Sequence, residues 1–360
     1  MAKMRVGIIG AGRIAVVMAE TLRKMRGVEA YAIASRSLEK AQAFAFEHGM
    51  TKAYGSYEEM LQDKKLDLVY IATPHTLHLT HAKLCIDYGK PVLVEKPFCV
   101  NAAQAQELLD YAKEKGVFIT EAIWVRYLPM YETIKQTLDS GIIGKPKLLT
   151  ANLGYEMTEK ERLVDPKLAG GALLDVGIYP LNFAYMLFGN DIDKIEASAV
   201  LKDGIDTQDS MTLTYKDGRM AVLNSSMVAV SDRLGIIQGT KGYMVIENIN
   251  NYQSMTVYDA DYKKILYRKC PKQISGYEYE VLACRDALKK KALSCEAMPH
   301  EEIMRLMHAM DEIREKIGLT YPCETEDGKG KKRDYTPDQS CKRCSKGCHR
   351  EDKILFQHHA

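Results

Sequence analysis

A glycine-rich turn near the N-terminus has the residue types and spacing that bind phosphate. Gly10, Gly12 and Ala15 form the pattern GxGxxA between an apolar strand-like segment and a helix-like segment. Gly10 permits a tight turn, Gly12 lets the backbone approach a pyrophosphate, and Ala15 allows close helix–sheet packing. The helix start at Arg13 and Ile14 offers N–H groups and a positive dipole end. The turn predicts a dinucleotide site; the alternative is a glycine turn that binds nothing.

The end of the second predicted strand indicates which dinucleotide is preferred. Ser35, Arg36 and Ser37 follow that strand, and Lys40 lies one turn later. An NAD site usually has a carboxylate here for the ribose hydroxyls, and this chain has none. The hydroxyls and cations could instead receive a 2′-phosphate. We therefore predict a preference for NADP(H), with NAD(H) possible if Arg36 and Lys40 are only solvated charges.

A lysine, an aspartate and a tyrosine are the candidates for acid–base chemistry. Lys96 follows an apolar strand-like run and precedes Pro97, at the sheet edge where open α/β folds bind ligands. Its ammonium could polarise a substrate oxygen or relay a proton; the alternative is a solvated surface charge. Asp175 and Tyr179 are four residues apart, hence on one helix face. We expect a nearby cation to lower the pKa of the Tyr179 hydroxyl. The alternatives are a helix-start carboxylate and a core tyrosine.

The N-terminal third of the chain predicts the scaffold for these residues. Strand-like runs, of which 66–73 is the strongest, alternate with helical patterns up to about residue 120. Strands bracketed by helices imply right-handed crossovers and a doubly wound parallel sheet. The predicted fold class is therefore α/β, with a Rossmann domain at residues 1–122.

The pattern changes after about residue 145. Residues 195–267 indicate successive strands with hairpin signals, and helices are predicted before and after them. This order is typical of an α+β domain with an open, mainly antiparallel sheet, which we place at residues 123–323. Its strands carry apolar candidates for a bare outer face, namely Met211, Leu213, Tyr215 and Met220 through Leu223. Pairing of two such faces predicts a homodimer or tetramer through this sheet.

Composition excludes several classes of partner. The chain has 360 residues, with 50 Lys and Arg against 48 Asp and Glu, a net charge of +2. This balance gives no drive toward nucleic acid or an anionic membrane. No apolar run approaches the ~18 residues of a membrane-spanning helix, and the start lacks a signal-peptide pattern. We therefore predict a cytoplasmic protein with a small-molecule substrate.

The polar segment 324–360 is predicted to lack a packed fold. It contains a cluster with metal-ligand composition, made of Cys341, Cys344, Cys348 and His349. The close spacing does not match the usual zinc fingers or ribbons. Either a small zinc or iron–sulfur site or free thiols would account for it.

Several motifs together resemble the glucose–fructose oxidoreductase/inositol dehydrogenase (Gfo/Idh/MocA) family over residues 3–323. Besides the N-terminal GxGxxA they are ATPH at 72–75, EKP at 95–97 and DVGIY at 175–179. The segment EAIWVRYLP at 121–129 is most similar to the dihydrodiol dehydrogenase/D-xylose 1-dehydrogenase branch. The resemblance implies hydride transfer at C4 of a nicotinamide, and a C-terminal sheet that commonly forms the oligomer interface.

The resemblance also implies roles for individual residues. Lys96 is expected beside the nicotinamide, and Asp175 is expected to position a substrate hydroxyl. Other branches carry His where this chain has Tyr179, so the proton carrier is Tyr179, Lys96 or both. Glu95 orients Lys96 or only bonds backbone near the cofactor. The cofactor-binding set is completed by Thr73, Pro74, His75, His78, Trp124 and Arg126.

Three of these residues have alternatives of their own. Trp124 walls the substrate pocket or packs at the domain hinge. Arg126 binds substrate or cofactor, or pairs with an acid. His78 touches the nicotinamide-side loop or caps its helix.

The predicted function is that of an NAD(P)-dependent oxidoreductase, NADP(H) preferred, acting on a sugar, polyol or cyclic diol. One alternative is a redox-neutral family member, such as an NAD-using glycosidase. Another is a non-catalytic dinucleotide sensor, which has no need of Lys96, Asp175 and Tyr179 as a set. Fold alone does not specify the substrate.

Overall fold

The computed structural model describes residues 3–324, so the predicted tail and its cysteine cluster lie outside the described residues. The described chain forms two sheets with helices packed on them. The strands of the first sheet all come from the N-terminal third of the chain. They are β1 (Met4–Ile9), β2 (Val28–Ala34), β3 (Lys52–Tyr54), β4 (Leu68–Ile71), β5 (Val92–Glu95) and β6 (Ile119–Ala122).

The first sheet is entirely parallel, with strand order β3-β2-β1-β4-β5-β6. The order reverses direction at β1, which produces a crevice at the carboxyl ends of β1 and β4. Helices connect the strands, namely α1 (Arg13–Lys24), α2 (Leu38–His48), α3 (Tyr57–Leu61), α4 (His78–Asp87) and α5 (Ala102–Lys115). This arrangement confirms the predicted doubly wound Rossmann sheet.

Local sequence explains where several of these helices begin. The side chains of Ser37, Ser56 and Asn101 each accept a hydrogen bond from the backbone N–H three residues later, at the starts of α2, α3 and α5. Ser and Asn are favoured at this position because they satisfy an N–H that the helix leaves unpaired. Helix α1 differs, because Gly12 precedes it and no side chain caps it.

The second sheet is mainly antiparallel, with order β14-β13-β12-β11-β7-β10-β9-β8. Its strands are β7 (Pro146–Gly154), β8 (Ile192–Lys202), β9 (Ile205–Tyr215), β10 (Met220–Ser226), β11 (Gly235–Gly239), β12 (Gly242–Glu247), β13 (Ser254–Asp259) and β14 (Lys264–Lys269). Only the pair β7–β10 is parallel. The sequence pattern does not predict β7, although β7 joins the two halves of the sheet.

Helices cover one face of the second sheet. In chain order the helices after α5 are α6 (Pro129–Asp139), α7 (Glu161–Val164), α8 (Ile178–Phe188), α9 (Glu278–Lys289) and α10 (His300–Ile317). A π-helical segment, Leu173–Gly177, leads directly into α8. Residues 166–188 are long and apolar enough to span a membrane, but 83% of the most apolar window is buried inside the protein. This segment is a core helix.

The residues proposed for the bare face of the second sheet are wrongly placed. Met211, Leu213, Tyr215, Ala221 and Leu223 are buried, on the face that packs against α8 and α10. Only Met220 and Val222 of the predicted set point outward, and Met220 is exposed. The alternation had the right period, but a period of two does not tell which of the two faces the chain's own helices cover.

The outer face instead carries one continuous row of paired residues. From β13 to β9 its members are Thr256, Val245, Ile236, Thr150, Val222 and Thr212. All of them are partly exposed. The apolar members, Val222, Ile236 and Val245, lie on β10, β11 and β12.

Candidate active site

The glycine-rich turn lies between β1 and α1, at the crevice of the parallel sheet. Gly10 has φ +98°, and a Cβ there would lie 2.8 Å from the carbonyl oxygen of Ala72. A Cβ on Gly12 would meet nothing within 4 Å. The first turn of α1 has no acidic residue and no capping side chain. An open cradle at an uncapped helix N-terminus fits the pyrophosphate of a dinucleotide.

The candidate residues for the 2′-phosphate follow β2 directly. Arg36 and Lys40 are exposed, and Ser35 is half-buried. The Ser37 hydroxyl accepts the Lys40 N–H at 3.2 Å, so its first role is to cap α2. No acidic side chain precedes Glu39 in this loop. The cluster is cationic, as the sequence predicts.

Lys96 and Asp175 form the centre of the candidate site, although 78 residues separate them in the chain. Lys96 Nζ donates to the backbone oxygen of Asp175 at 2.6 Å and to its Oδ1 at 3.0 Å. Arg162 Nη2 donates to the same Oδ1 at 3.0 Å. Burial alone would raise the pKa of Asp175, but the charges of Lys96 and Arg162 lower it below its usual range. Asp175 is therefore a carboxylate that fixes the Lys96 ammonium.

Tyr179 lies beside this ion pair. Lys96 Nζ is 5.2 Å from the centre of its ring, and Trp124 Nε1 donates to its hydroxyl oxygen at 3.2 Å. Burial raises the pKa of Tyr179 well above its usual value, and Tyr277 and Glu95 act in the same direction. The expectation of a lowered pKa is therefore wrong, because burial outweighs the cation. Tyr179 keeps its proton at neutral pH.

Glu95 and the histidines support the loops around Lys96. Glu95 accepts hydrogen bonds from the Tyr70 hydroxyl and, at 3.1 Å, from the Lys96 backbone N–H. Burial raises the pKa of Glu95. His78 contacts the carbonyl oxygens of Pro97 and Thr73 at 2.9 and 2.8 Å. It therefore joins the loop after β4 to the loop after β5.

The ATPH loop itself lies at the crevice. The hydroxyl of Thr73 is 3.0 Å from a ring nitrogen of His81, and Pro74 immediately precedes a 3₁₀ turn at residues 75–77. His75 Nδ1 is 3.2 Å from the carbonyl oxygen of Ala169. Burial and, to a smaller extent, the positive charge of Arg162 lower the pKa of His75 well below its usual value. The His75 ring is therefore neutral at pH 7.

Trp124 and Arg126 have different surroundings. Trp124 stacks on Tyr277, with ring centres 4.2 Å apart and planes 7° apart. Arg126 is buried; its Nε donates to Asn182 at 2.6 Å and its Nη2 donates to Glu302 at 2.9 Å. Arg126 thus matches the alternative of pairing with an acid, and its donors are directed at the C-terminal domain.

Two residues of this site were missed in the sequence analysis. Arg162 lies on the four-residue helix α7, in no motif, and reaches Asp175 only through the fold. Tyr277 precedes α9 and arrives from the far end of the chain to cover Trp124. The close approach of Gly276 to the Trp124 ring shows how tightly this segment packs. No spacing rule connects either residue with the motifs.

Comparison with known families decides which family the chain belongs to. The profile described as "Oxidoreductase family, NAD-binding Rossmann fold" matches residues 4–122, and that described as "GFO/IDH/MocA C-terminal domain" matches residues 131–245. The chain belongs to the Gfo/Idh/MocA family. It is accordingly an oxidoreductase with an NAD(P)-binding Rossmann domain, as the motifs predict.

Relatives within the Gfo/Idh/MocA family include named enzymes. Trans-1,2-dihydrobenzene-1,2-diol dehydrogenase of Xenopus tropicalis is 35% identical over 325 residues, which cover 88% of this chain and 98% of the relative. The Homo sapiens enzyme of the same name is 32% identical over 330 residues, which cover 89% and 98%. The resemblance to the dihydrodiol dehydrogenase branch is confirmed at this level.

Solved structures share the fold of this Gfo/Idh/MocA protein. A 3-ketoreductase from Actinomadura kijaniata in complex with NADP and TDP-benzene has a TM-score of 0.80 at 24% identity, with 88% of this chain and 98% of that chain covered. An aldose-aldose oxidoreductase from Caulobacter crescentus complexed with glycerol has a TM-score of 0.79 at 19% identity, with 87% and 97% covered. Both confirm the two-domain fold class.

Proposed function

We propose that this protein is an NADP(H)-preferring oxidoreductase that transfers a hydride between the nicotinamide and a sugar, polyol or cyclic diol. The observation that carries the proposal is the Lys96–Asp175 pair beside Tyr179. Lys96 Nζ lies 2.6 Å from the backbone oxygen of Asp175 and 3.0 Å from its Oδ1. The names of the relatives support the substrate class, since those proteins are a diol dehydrogenase, a 3-ketoreductase and an aldose-aldose oxidoreductase.

Tyr179 is the proposed proton donor. The nicotinamide, when bound, supplies or accepts the hydride, so the chain must handle the proton on the substrate oxygen. The Tyr179 oxygen accepts a hydrogen bond from Trp124 at 3.2 Å, which leaves its own proton available to a substrate carbonyl. Its raised pKa keeps that proton in place at neutral pH. In the oxidation direction the same oxygen takes the proton of the substrate hydroxyl, which requires that Tyr179 has first lost its own proton.

Lys96 and Asp175 prepare the site for the charge that develops on the substrate oxygen. The Lys96 ammonium can stabilise a developing alkoxide, and a fixed charge needs no reorganisation during the reaction. Asp175 holds Lys96 through its backbone oxygen as well as its carboxylate, so one of the two hydrogen bonds does not depend on the negative charge of Asp175. Half-buried surroundings strengthen these interactions relative to water.

The cofactor preference rests on the loop after β2. Ser35, Arg36 and Lys40 provide hydroxyl and cationic donors, and no carboxylate there would repel a 2′-phosphate. The Actinomadura structural neighbour contains NADP, which agrees with this choice.

Steady-state turnover of the purified full chain tests the proposal. NADP+ and NADPH would be assayed with a panel of aldoses, polyols, ketoses and cyclic diols. We expect Lys96→Ala and Tyr179→Phe each to lower kcat about 10²-fold, the usual effect of removing a general acid or base. Both variants should still bind NADPH. Lys83→Ala, at an exposed ion pair on α4, is the matched control. Normal turnover by both variants would refute the assignment.

A further inference from the structure

A buried pair of carboxyl groups lies beneath the π-helical segment Leu173–Gly177. Asp206 and Asp209 are three residues apart on β9, a spacing that normally places side chains on opposite faces of a strand. The pairing of β8 with β9 shifts register here, since Val200 pairs with Gln208 but Leu201 pairs with Asp206. The extra residue, Thr207, turns both carboxyls inward, where they are 0% and 4% exposed.

Asp206 contacts the start of the π-helical segment directly, whereas Asp209 is linked to its end only through Ser225. Asp206 Oδ2 accepts the Leu173 N–H at 2.5 Å. Ser225, opposite Asp209 on β10, donates its hydroxyl to Asp209 Oδ2 at 2.9 Å. A Cβ on Gly177 would lie 2.9 Å from that Ser225 oxygen. The segment that carries Asp175 therefore rests directly on this part of the sheet.

One oxygen of each carboxyl has no hydrogen-bond donor. Oδ1 of Asp206 and Oδ1 of Asp209 are buried and have no donor among the described residues. The two carboxyls are within hydrogen-bond reach of each other, so a proton on one of them can be shared with the other. Two ionised carboxylates this close in a buried site would repel strongly, and such pairs hold one proton between them.

We propose that Asp206 and Asp209 are positioning residues for the reaction, which share one proton and fix the backbone from which Asp175 and Tyr179 project. This inference rests on the proposed function of Lys96, Asp175 and Tyr179. Asp206 acts through the Leu173 N–H, two residues before Asp175. Asp209 acts by holding Asp206 and, through Ser225, the sheet surface beneath Gly177.

The surroundings of the pair define its response to pH. Burial raises the pKa of both carboxyls, and the charge of Asp206 raises that of Asp209 further. Burial and the charges of both carboxyls raise the pKa of the Tyr321 hydroxyl, on which Arg314 and Glu324, paired to each other, also act. Asp175, on the segment above the pair, is held by Lys96. No cation among the described residues forms an ion pair with Asp206 or Asp209. Loss of the shared proton at alkaline pH should therefore displace the π-helical segment.

Asp209→Asn provides a sharp test, because an asparagine amide can donate permanently to Asp206 Oδ1. Trp124 is the only tryptophan and donates to Tyr179, so its fluorescence reports on the site without any turnover. We expect the wild-type emission to change in one alkaline transition that Asp209→Asn abolishes. Asp193→Asn, an exposed residue of β8, should keep the transition.

Turnover gives a second readout, in which Asp209→Asn should restore the activity that Asp209→Leu loses. We expect Asp209→Leu to lower kcat at least tenfold with little change in the Kd for NADPH, and Asp209→Asn to stay within threefold of wild type at pH 7. An alkaline transition that persists in Asp209→Asn would overturn the inference. Equal kcat in Asp209→Leu and wild type would do the same. If no substrate turns over, the fluorescence titration still decides the role of the pair.

Discussion

At the scale of single residues, burial decides the chemistry of the candidate site more than sequence neighbours do. Tyr179 and Lys96 are close, yet burial keeps the tyrosine protonated. Asp175 is equally buried, but two cations in direct contact keep it ionised. The difference follows from contact, because Lys96 donates to Asp175 and only faces the ring of Tyr179.

Arg36 should determine the preference for NADPH. Arg36→Asp would place a carboxylate where the 2′-phosphate is expected, and should weaken NADPH binding by roughly 1–3 kcal/mol, the scale of a charge-assisted hydrogen bond. NADH binding should change little. Fluorescence titration of both cofactors measures this, with the exposed Lys64→Asp as control. Equal affinities of the wild type for NADPH and NADH would contradict the preference.

Glu121 should make folding stability fall with rising pH. Burial raises its pKa from 4.5 to about 7. Its Oε1 accepts the Phe98 N–H at 2.8 Å, and its buried Oε2 has no donor within residues 3–324. The folded state thus holds a proton that the unfolded state has lost between those values, so the free energy of unfolding decreases across this range.

Glu121→Gln should flatten this dependence, which amounts to on the order of 3 kcal/mol. Denaturant unfolding between pH 5 and 8 measures it, with the exposed Glu39→Gln as the control variant. The same slope in Glu121→Gln as in wild type would show that Glu121 does not titrate in this range.

At the scale of elements, the two glycines of the β1–α1 turn have different roles: Gly10 is needed for the fold and Gly12 for binding. Gly10 needs its positive φ and has no room for a Cβ, so Gly10→Ala should lower the free energy of unfolding by about 1–3 kcal/mol. Gly12 has φ −89° and open space around it. Gly12→Ala should therefore leave stability unchanged within about 0.5 kcal/mol but weaken NADPH binding, because its methyl group fills the cradle.

Thermal unfolding and NADPH titration of the two variants separate these effects. Gly55→Ala serves as the control for a methyl group added at a glycine outside the turn, where the new Cβ would approach Leu38. Unimpaired NADPH binding by Gly12→Ala would mean that the pyrophosphate does not approach the backbone at this glycine.

At the scale of the whole molecule, the outer face of the second sheet is the proposed site of self-association. The apolar residues available there are Val222, Ile236 and Val245, on three strands near the middle of the sheet. Two sheets packed face to face about a two-fold axis would bury them. Of the residues first proposed for this contact, Met211, Leu213, Tyr215, Ala221 and Leu223 are in the core and cannot serve it.

Light scattering at micromolar concentration should give at least twice the chain mass of 40.6 kDa. Ile236→Glu should shift the protein toward the monomer, because a carboxylate would be buried without a partner in the interface. Phe46→Glu, at an exposed position of α2 far along the chain from this sheet, should have no effect. A wild-type mass of 40.6 kDa that is unchanged on dilution would rule out the assembly.

Local sequence determined the elements and the family of this protein. The GxGxxA turn, the Ser37, Ser56 and Asn101 caps and the strand–helix alternation act over a few residues, so their signals are complete in the sequence. The motifs around Lys96 and Asp175 identified the family for the same reason. Strand β7 mixes polar and apolar residues, carries a weaker local signal and was missed.

Only the tertiary structure decided what meets at the site and which surfaces are buried. Alternation in β9 and β10 predicts strands, but the helices packed on the sheet decide that Met211 and Leu223 lie in the core. Arg162 and Tyr277 enter the site from segments without a motif. The pKa of Tyr179 depends on its distance from charges and from water. These quantities are set by contacts between residues distant in the chain, and no local pattern contains them.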